Sequence, residues 1–276
     1  MNRTAIVLLL GVILVGGIIS LIKKPHKAAK TAPPPAAVVT VPPPVVHKPA
    51  AGPMIAIVID DVGNTLKNMP AIEGIKNYPV TFSIIPGLVF SNRAENDLTA
   101  MGFEVMLHLP MEPKENTRLE KNTILVSMNE EQIKTITRAA LDSLPQAKGI
   151  NNHMGSKVTE DEKALSSVLD VLKERRVFFL DSFVTGKSAG EKVAARKQVK
   201  FIKRDIFLDN IRDPEYIRHQ LGLLKQKARQ KGQAVGIGHD RKTTLEVLGE
   251  ELPRMEQEGY KLVYVSELAK VEKTQP

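Results

Sequence analysis

The spacing of apolar and polar positions divides the chain into three parts, and the first is apolar throughout. Residues 5–22 read AIVLLLGVILVGGIISLI, with no polar face. As a helix this run would be about 27 Å long, close to the thickness of the hydrocarbon core of a bilayer. No small-x-small cleavage pattern ends the run. Residues 1–24 are therefore predicted to be a membrane anchor or an uncleaved signal.

The second part is rich in proline. Residues 25–53 contain PPP at 33–35 and again at 42–44, with Ala, Val and Lys between them. Such a composition is typical of a semi-rigid polyproline spacer. We expect this linker to hold a folded domain away from a membrane surface.

The third part, residues 54–276, alternates short β-branched runs with helical stretches. The predicted strands are 54–60, 80–85, 103–109, 149–152, 177–181, 200–208, 234–239 and 261–265. Nearly continuous apolar strands separated by helices indicate a parallel sheet covered by helices. The pattern predicts an α/β fold, a distorted parallel β/α barrel of about seven to eight units. An open doubly wound sheet is the alternative.

Four helices have recognisable ends. Ser127 or Asn129 is expected to cap a helix over 130–143, and Thr159-x-x-Glu162 reads as a capping box that opens a helix over 160–175. The third helix is expected from the Asp213-Pro214 pair to Gly232, and the last over 243–258.

Charge and composition narrow the classes of function. The net charge is +8, but residues 1–53 hold six of the 39 Lys and Arg and no Asp or Glu, which leaves 33 basic against 31 acidic residues beyond them. The folded part is therefore not a general phosphate-binding surface, and no nucleic-acid partner is expected. The chain has no Cys, which excludes thiol catalysis and iron–sulfur clusters. No glycine-rich dinucleotide or phosphate fingerprint occurs.

Polar residues follow six of the predicted strands. They are Asp60-Asp61, His108, Asn151-Asn152-His153, Asp181-Ser182, Asp209-Asn210 and His239-Asp240. The carboxyl ends of parallel strands share one edge of a sheet, so these side chains are expected to form one site. Asp and His are ligands for Zn, Fe, Mn or Co in open catalytic sites. No GxSxG motif is present, which argues against a serine hydrolase.

Six segments in order resemble the divergent branch of the polysaccharide deacetylase family. They are IAIVIDDVGN (55–64), EVMLHLPMEP (104–113), GINNHMGS (149–156), FFLDS (178–182), RDIFLDN (204–210) and VGIGHD (235–240). The resemblance covers about residues 54–268. It implies a distorted β/α barrel and metal-dependent removal of N- or O-acetyl groups from a polysaccharide.

The resemblance also implies roles for single residues. Asp60 matches the general base and Asp61 a metal ligand, and His239 matches the general acid. His108 matches the first histidine of a His-x-x-x-His ligand pair, but Glu112 stands at the second position. His153 is expected as the third ligand, with Glu112 as the alternative.

Further residues are expected to support these groups. Asn152 is a candidate donor to an oxyanion, while Asp181 and Asp209 are candidates for orienting catalytic groups, with capping of the next helix as the alternative for Asp209. One divalent metal is implied, with zinc as the first choice. An inactive polysaccharide-binding or scaffold protein on the same fold is the main alternative. A glycosidase that pairs Asp60 with Asp181, or a phosphoesterase, is a third.

The location follows from the resemblance rather than from the charge count. The four lysines over 23–30 outnumber Arg3, and the positive-inside rule would then keep the domain in the cytoplasm. Relatives act on envelope polysaccharide. We therefore expect a membrane-anchored protein whose catalytic domain, residues 54–276, lies on the periplasmic side.

Overall fold

Strands and helices alternate along residues 52–271, the part of the chain that the computed structural model describes. The strands are β1 Met54–Val62, β2 Val80–Ile84, β3 Glu104–Met111, β4 Gly149–Met154, β5 Phe178–Asp181, β6 Lys200–Lys203, β7 Ile206–Phe207, β8 Gln233–His239, β9 Lys261–Leu262 and β10 Lys270–Val271. The helices are α1 Met69–Glu73, α2 Ser91–Ala100, α3 Glu130–Ser143, α4 Glu162–Arg175, α5 Gly190–Lys197, α6 Pro214–Lys231, α7 Lys242–Gln257 and α8 Val265–Leu268.

The strands form one curled sheet in the order β10-β6-β5-β4-β3-β2-β1-β8-β7, with β9 paired to β1. The ladders are parallel except for the short antiparallel pair of β10 and β6. The predicted α/β class and its mostly parallel sheet are confirmed. All the main strands therefore end at the same edge, here called the carboxyl edge.

The barrel is distorted at the junction of β6 and β7. Within residues 52–271 no ladder pairs these two strands, although they follow each other in the chain. The two-residue link between them spans the gap instead. Arg204 N donates to Asp181 O at 3.0 Å and Asp205 N donates to Val235 O at 2.9 Å, so the link contacts β5 on one side and β8 on the other. The strand predicted over 200–208 is thus two short strands.

Both faces of the sheet are buried, which explains the continuous apolar strands. On β1, Ile55, Ile57 and Ile59 belong to the large core between sheet and helices, whereas Ala56 and Val58 belong to a smaller core. The smaller core takes residues from β3, β5, β6 and β8 and is closed below by α8. It fills the concave face of the curled sheet. The two-residue period of each strand therefore assigns alternate side chains to the helices and to the interior.

The helix predictions were right for three of the four. Asn129, not Ser127, caps α3 and forms a capping box with Gln132, and Gly232 ends α6 in the left-handed region at φ 80°. The predicted start of α4 was wrong. Asp161 caps α4 by accepting from Ala164 N at 2.8 Å, while Thr159 Oγ1 donates back to Gly155 O. The buried Thr159 hydroxyl makes this local bond to the backbone instead of capping the helix.

The predicted anchor and most of the Pro-rich linker lie outside the described residues. Among the helices of residues 52–271, none has the length and apolarity needed to cross a bilayer. The domain boundaries at residues 24 and 53 stay predictions.

Candidate active site

Strand periodicity carries three of the predicted residues to one place. Asp60, His108 and His239 continue, at two-residue intervals, the rows of apolar side chains that fill the concave face of β1, β3 and β8. Asp60 stands beside His239 in the register of β1 and β8, and Asn151 stands beside His108 in the register of β3 and β4. The interior therefore changes from apolar to polar at the carboxyl edge.

Asp61 reaches the same place by a backbone irregularity. By periodicity alone its side chain would face the helices with Ile59. The register between β1 and β2 shifts between Ile59 and Val62, and Asp61 lies in the left-handed region at φ 64°. An irregularity of this kind re-aims a side chain, and Asp tolerates positive φ better than most residues. The Asp61 carboxylate consequently meets the two histidines.

Asp61, His108 and His153 form a group that could hold a metal ion. Asp61 Oδ1 lies 3.0 Å from His153 Nδ1 and 3.3 Å from His108 Nε2, and the three ligand atoms lie within 4.8 Å of one another. The two imidazole rings meet edge to face at 4.9 Å. One carboxylate and two imidazoles suit a borderline divalent cation in a site that keeps positions for water and substrate.

Glu112, the alternative third ligand, lies elsewhere. Its Oε1 accepts from Lys157 Nζ at 2.5 Å and its Oε2 from Val126 N at 2.8 Å. The side chain therefore ties the long β3–α3 loop to the β4–α4 loop. Burial alone would raise the pKa of Glu112, but the bonds from Lys157 and Val126 outweigh it and hold that pKa below its ordinary value. The geometry favours His153 as the third ligand.

A histidine–aspartate pair faces this group across the carboxyl edge. His239 Nδ1 lies 2.6 Å from Asp209 Oδ1, and His239 Nε2 lies 4.0 Å from Asp61 Oδ2. Asp209 is fully buried and also accepts from His239 N and from Thr244 Oγ1. Asp209 therefore holds the orientation of the His239 ring.

The His239 ring also packs against an aromatic side chain. It stacks on Phe207 with ring centres 6.0 Å apart and an interplanar angle of 12°. The Arg204 guanidinium lies 3.7 Å from the centre of Phe207. These contacts, which the sequence analysis missed, connect the β6–β7 junction to the site.

Burial and pairing set the ionisation of the acidic groups. Burial raises the pKa of Asp60, although the charge of His108 partly opposes it. Burial would also raise the pKa of Asp61, but the hydrogen bonds with His108 and His153 outweigh it and hold that pKa far below its ordinary value. The pKa values of the two adjacent carboxyl groups are thus shifted in opposite directions, because Asp61 is paired with both histidines and Asp60 is the more deeply buried.

For the histidines, burial and the acidic partners have opposing effects on the pKa. Burial would lower the pKa of His108, but the charges of Asp60 and Asp61 outweigh it and raise that pKa. Burial would likewise lower the pKa of His239, and the hydrogen bond with Asp209 raises it. A raised pKa favours the protonated imidazolium of His239, which a proton donor needs.

Two predicted residues do not contact the candidate metal ligands. Asn152 donates from Nδ2 to Met154 O at 2.6 Å and accepts at Oδ1 from Ser182 N at 2.9 Å, so its amide joins β4 to β5 instead of meeting an oxyanion. Asp181 accepts from Phe183 N and Ser188 Oγ. Burial raises the pKa of Asp181. By the strand period both residues lie on the helix-facing side.

Asn151 is a strand-end residue to which the sequence analysis gave no role. It is fully buried and lies between Asp60 and His108, with polar atoms within 3.0 Å of each. The alternation along β4 could have indicated it, because Asn151 and His153 share a face that Asn152 does not.

The comparisons with known proteins show the family of this chain and agree with its fold. The model of the divergent polysaccharide deacetylase family matches residues 57–269, and the chain belongs to this family. It is 34% identical over 200 residues to the uncharacterized protein YibQ of Escherichia coli K12, a match that covers 72% of this chain and 62% of that protein. It is 32% identical over 222 residues to an uncharacterized protein of Haemophilus influenzae, covering 80% and 79%. The chain therefore spans less than two thirds of the E. coli relative.

Solved structures share the fold at low identity. The uncharacterized protein ATU2773 of Agrobacterium tumefaciens superposes with a TM-score of 0.74 at 22% identity, covering 80% of this chain and 91% of that one. The Bc1960 peptidoglycan N-acetylglucosamine deacetylase superposes with a TM-score of 0.52 at 13% identity, covering 81% and 91%. A mutant of BA3943, a CE4 family pseudoenzyme with restored enzymatic activity, gives 0.50 at 13%, covering 81% and 70%. These likenesses show the fold.

Proposed function

We propose that the protein is a metal-dependent hydrolase that removes acetyl groups from an envelope polysaccharide. The observation that carries the proposal is the convergence of Asp61, His108 and His153 with Asp60 and His239 at one carboxyl edge. A divalent cation bound there, with zinc as first choice, would supply Lewis-acid polarisation of the acyl carbonyl and of the attacking water.

The side chains divide the proton transfers between them. Asp60 is proposed as the base that takes a proton from the attacking water. His239 is proposed as the acid that returns a proton to the departing amine or alcohol, in the orientation that Asp209 holds. The proposal draws support from a relative of the same fold that is a peptidoglycan N-acetylglucosamine deacetylase.

The test is acetate release by the full chain from an N-acetylglucosamine oligomer and from an O-acetylated glycan. Asp60→Asn and His239→Ala are expected to lower kcat about 10²–10⁴-fold, the range for loss of general acid–base catalysis. His219→Gln is the matched control, because His219 is exposed on α6. Equal activity of the Asp60 variant and the wild type would refute the assigned base.

Metal content is a separate readout. Elemental mass spectrometry of the purified chain is expected to find about one zinc or similar ion per protein, lost in His108→Ala and kept in Glu112→Ala. Loss of the ion in Glu112→Ala, with retention in His153→Ala, would reverse the choice of third ligand.

An inactive polysaccharide-binding protein is the second candidate. Its support is the pseudoenzyme among the proteins of similar fold, together with Glu112 at a position where the resemblance expects histidine. A chain that binds the oligomer but releases no acetate with zinc, cobalt or manganese would favour this candidate.

We further propose that the domain works outside the cytoplasm, joined to a membrane by residues 1–24. The apolar run and the Pro-rich spacer support this, and the lysines over 23–30 oppose it. Fusing alkaline phosphatase, which is active only outside the cytoplasm, after residue 276 gives the test. An inactive fusion that is made in normal amounts would place the domain inside.

A further inference from the structure

The Asn151 side chain contacts both the proposed base, Asp60, and a proposed metal ligand, His108. Its Nδ2 donates to Asp60 Oδ1 and Oδ2, each at 3.0 Å, and to Ser182 Oγ at 3.1 Å. Its Oδ1 lies 2.8 Å from His108 Nδ1 and accepts from Ser83 Oγ at 2.5 Å. The amide is fully buried.

The direction of this amide follows from its partners. An ionised carboxylate only accepts hydrogen bonds, so the Asn151 NH₂ group must face Asp60. The carbonyl end then faces His108, and the Ser83 hydroxyl donates to the same oxygen. Turning the amide over would set an oxygen against both oxygens of Asp60, which is repulsive in a buried site.

The direction of the amide in turn determines the His108 tautomer. An amide oxygen cannot donate, so the proton of this hydrogen bond belongs to His108 Nδ1. The other ring nitrogen, Nε2, then remains for the metal and faces Asp61 at 3.3 Å. A metal-bound histidine generally needs its second nitrogen held in this way.

We propose that Asn151 is a positioning residue that couples Asp60 to His108, holding the carboxylate in place and keeping the His108 proton on Nδ1. The metal part of this inference rests on the proposed function, whereas the tautomer does not. Neighbouring Asn152 is equally buried but bonds only to Ser182 and the backbone of Met154. The chain thus supplies its own control for the loss of a buried amide.

The experiment compares the wild type with Asn151→Ala, Asn151→Asp and Asn152→Ala. Ring ¹⁵N–¹H spectra of the metal-free full chain report the His108 Nδ1–H. A slowly exchanging Nδ1–H is expected in the wild type, in Asn151→Asp and in Asn152→Ala. Asn151→Ala is expected to lose it, because no acceptor remains.

Measurements of zinc affinity and of turnover distinguish the role of the Asn151 carbonyl, which faces His108, from that of its NH₂ group, which faces Asp60. Asn151→Ala is expected to bind zinc 10–100-fold more weakly, the usual cost of losing such a partner. Asn151→Asp keeps the acceptor for His108 but places a carboxylate against Asp60. It is expected to keep its zinc affinity and lose about 10²-fold in kcat with little change in KM, as for a misplaced catalytic group. Folded Asn152→Ala is expected to bind zinc as the wild type does.

The outcomes are distinguishable. A slowly exchanging His108 Nδ1–H in Asn151→Ala, or wild-type zinc affinity in that variant, would overturn the inference. If Asn151→Ala does not fold, Asn151→Asp decides: loss of kcat without loss of zinc supports the coupling, and parallel loss of both contradicts it. A wild type that shows the Nδ1–H but releases no acetate would remove the proposed function and leave the tautomer assignment standing.

Discussion

Asp61 shows how one backbone angle places a functional group. Its φ of 64° turns a side chain that would face the helices toward His108 and His153. Asn shares with Asp a tolerance of the left-handed region, whereas a β-branched residue does not. Substitutions at Asp61 can therefore separate the effect of the backbone conformation from the effect of the carboxylate charge.

We expect Asp61→Asn and Asp61→Val to lose the metal alike but to differ in stability. The valine variant should unfold about 1–2 kcal/mol more easily in the metal-free state, the usual cost of a left-handed conformation for an L-residue. Urea denaturation of both variants measures the difference. Equal midpoints would show that the backbone relaxes at Asp61.

Glu104 is a half-buried carboxyl group at the opposite end of β3. It accepts from Thr81 Oγ1 at 2.9 Å, and burial raises its pKa despite the bonds from Ser266 and Thr81. A carboxyl group whose pKa is raised in the folded state holds its proton more tightly there than when unfolded. The wild type therefore loses stability as the pH rises from the ordinary glutamate pKa through the raised one.

The corresponding variant is Glu104→Gln, which keeps the acceptor oxygen and does not titrate. Its free energy of unfolding relative to the wild type is expected to increase between pH 4 and pH 7.5. Urea denaturation at the two pH values measures this, with Glu256→Gln, an exposed residue of α7, as control. The same difference at both pH values would contradict the argument.

At the scale of elements, helix ends were predictable where the capping bond is local. Both Ser127 and Asn129 precede α3, and the structure selects Asn129, whose side chain accepts from Gln132 N at 2.9 Å while Gln132 returns a bond. Asn129→Ala is expected to cost about 1 kcal/mol, the usual value for an N-cap. Thermal and urea unfolding beside Ser127→Ala, which should be nearly neutral, provide the measurement.

Elements were less predictable where contacts between distant segments decide. Helices α2 and α5 were not assigned from the sequence, and neither begins with a side-chain capping bond. The run over 200–208 read as one strand because its apolar residues are continuous. Its break at Arg204 and Asp205 depends on partners in β5 and β8, which no local pattern encodes.

At the scale of the whole molecule, Arg204 holds the β6–β7 junction together. Its Nε donates to Ser182 O at 2.7 Å and its Nη2 to Phe183 O at 2.8 Å, while the guanidinium lies on Phe207. Burial lowers the pKa of Arg204 to about 10. A lysine cannot make both bonds and also stack on the ring.

Arg204→Lys is accordingly expected to lower the free energy of unfolding by about 1.5–3 kcal/mol, the range for hydrogen bonds from a charged group. Arg229→Lys, at an exposed cation–π contact with Tyr260, should change it by less than about 0.5 kcal/mol. Hydrogen exchange would show whether protection falls first at the amides of β6 and β7. Equal effects of the two variants would contradict the role given to Arg204.

The sequence by itself determined the class of fold and the edge of the sheet at which the candidate site lies. Alternating buried strands and helices imply a parallel sheet, and parallel strands end together, so the sequence alone predicts Asp60, His108 and His239 at one edge. The tertiary structure decided the rest: Asp61 faces the histidines, His153 rather than Glu112 belongs to the candidate metal group, and Asn151 lies between Asp60 and His108. These three placements depend on strand register, on the positive φ of Asp61 and on contacts between loops. Such features arise from contacts between segments that are distant in the chain, so the pattern along a single strand does not reveal them.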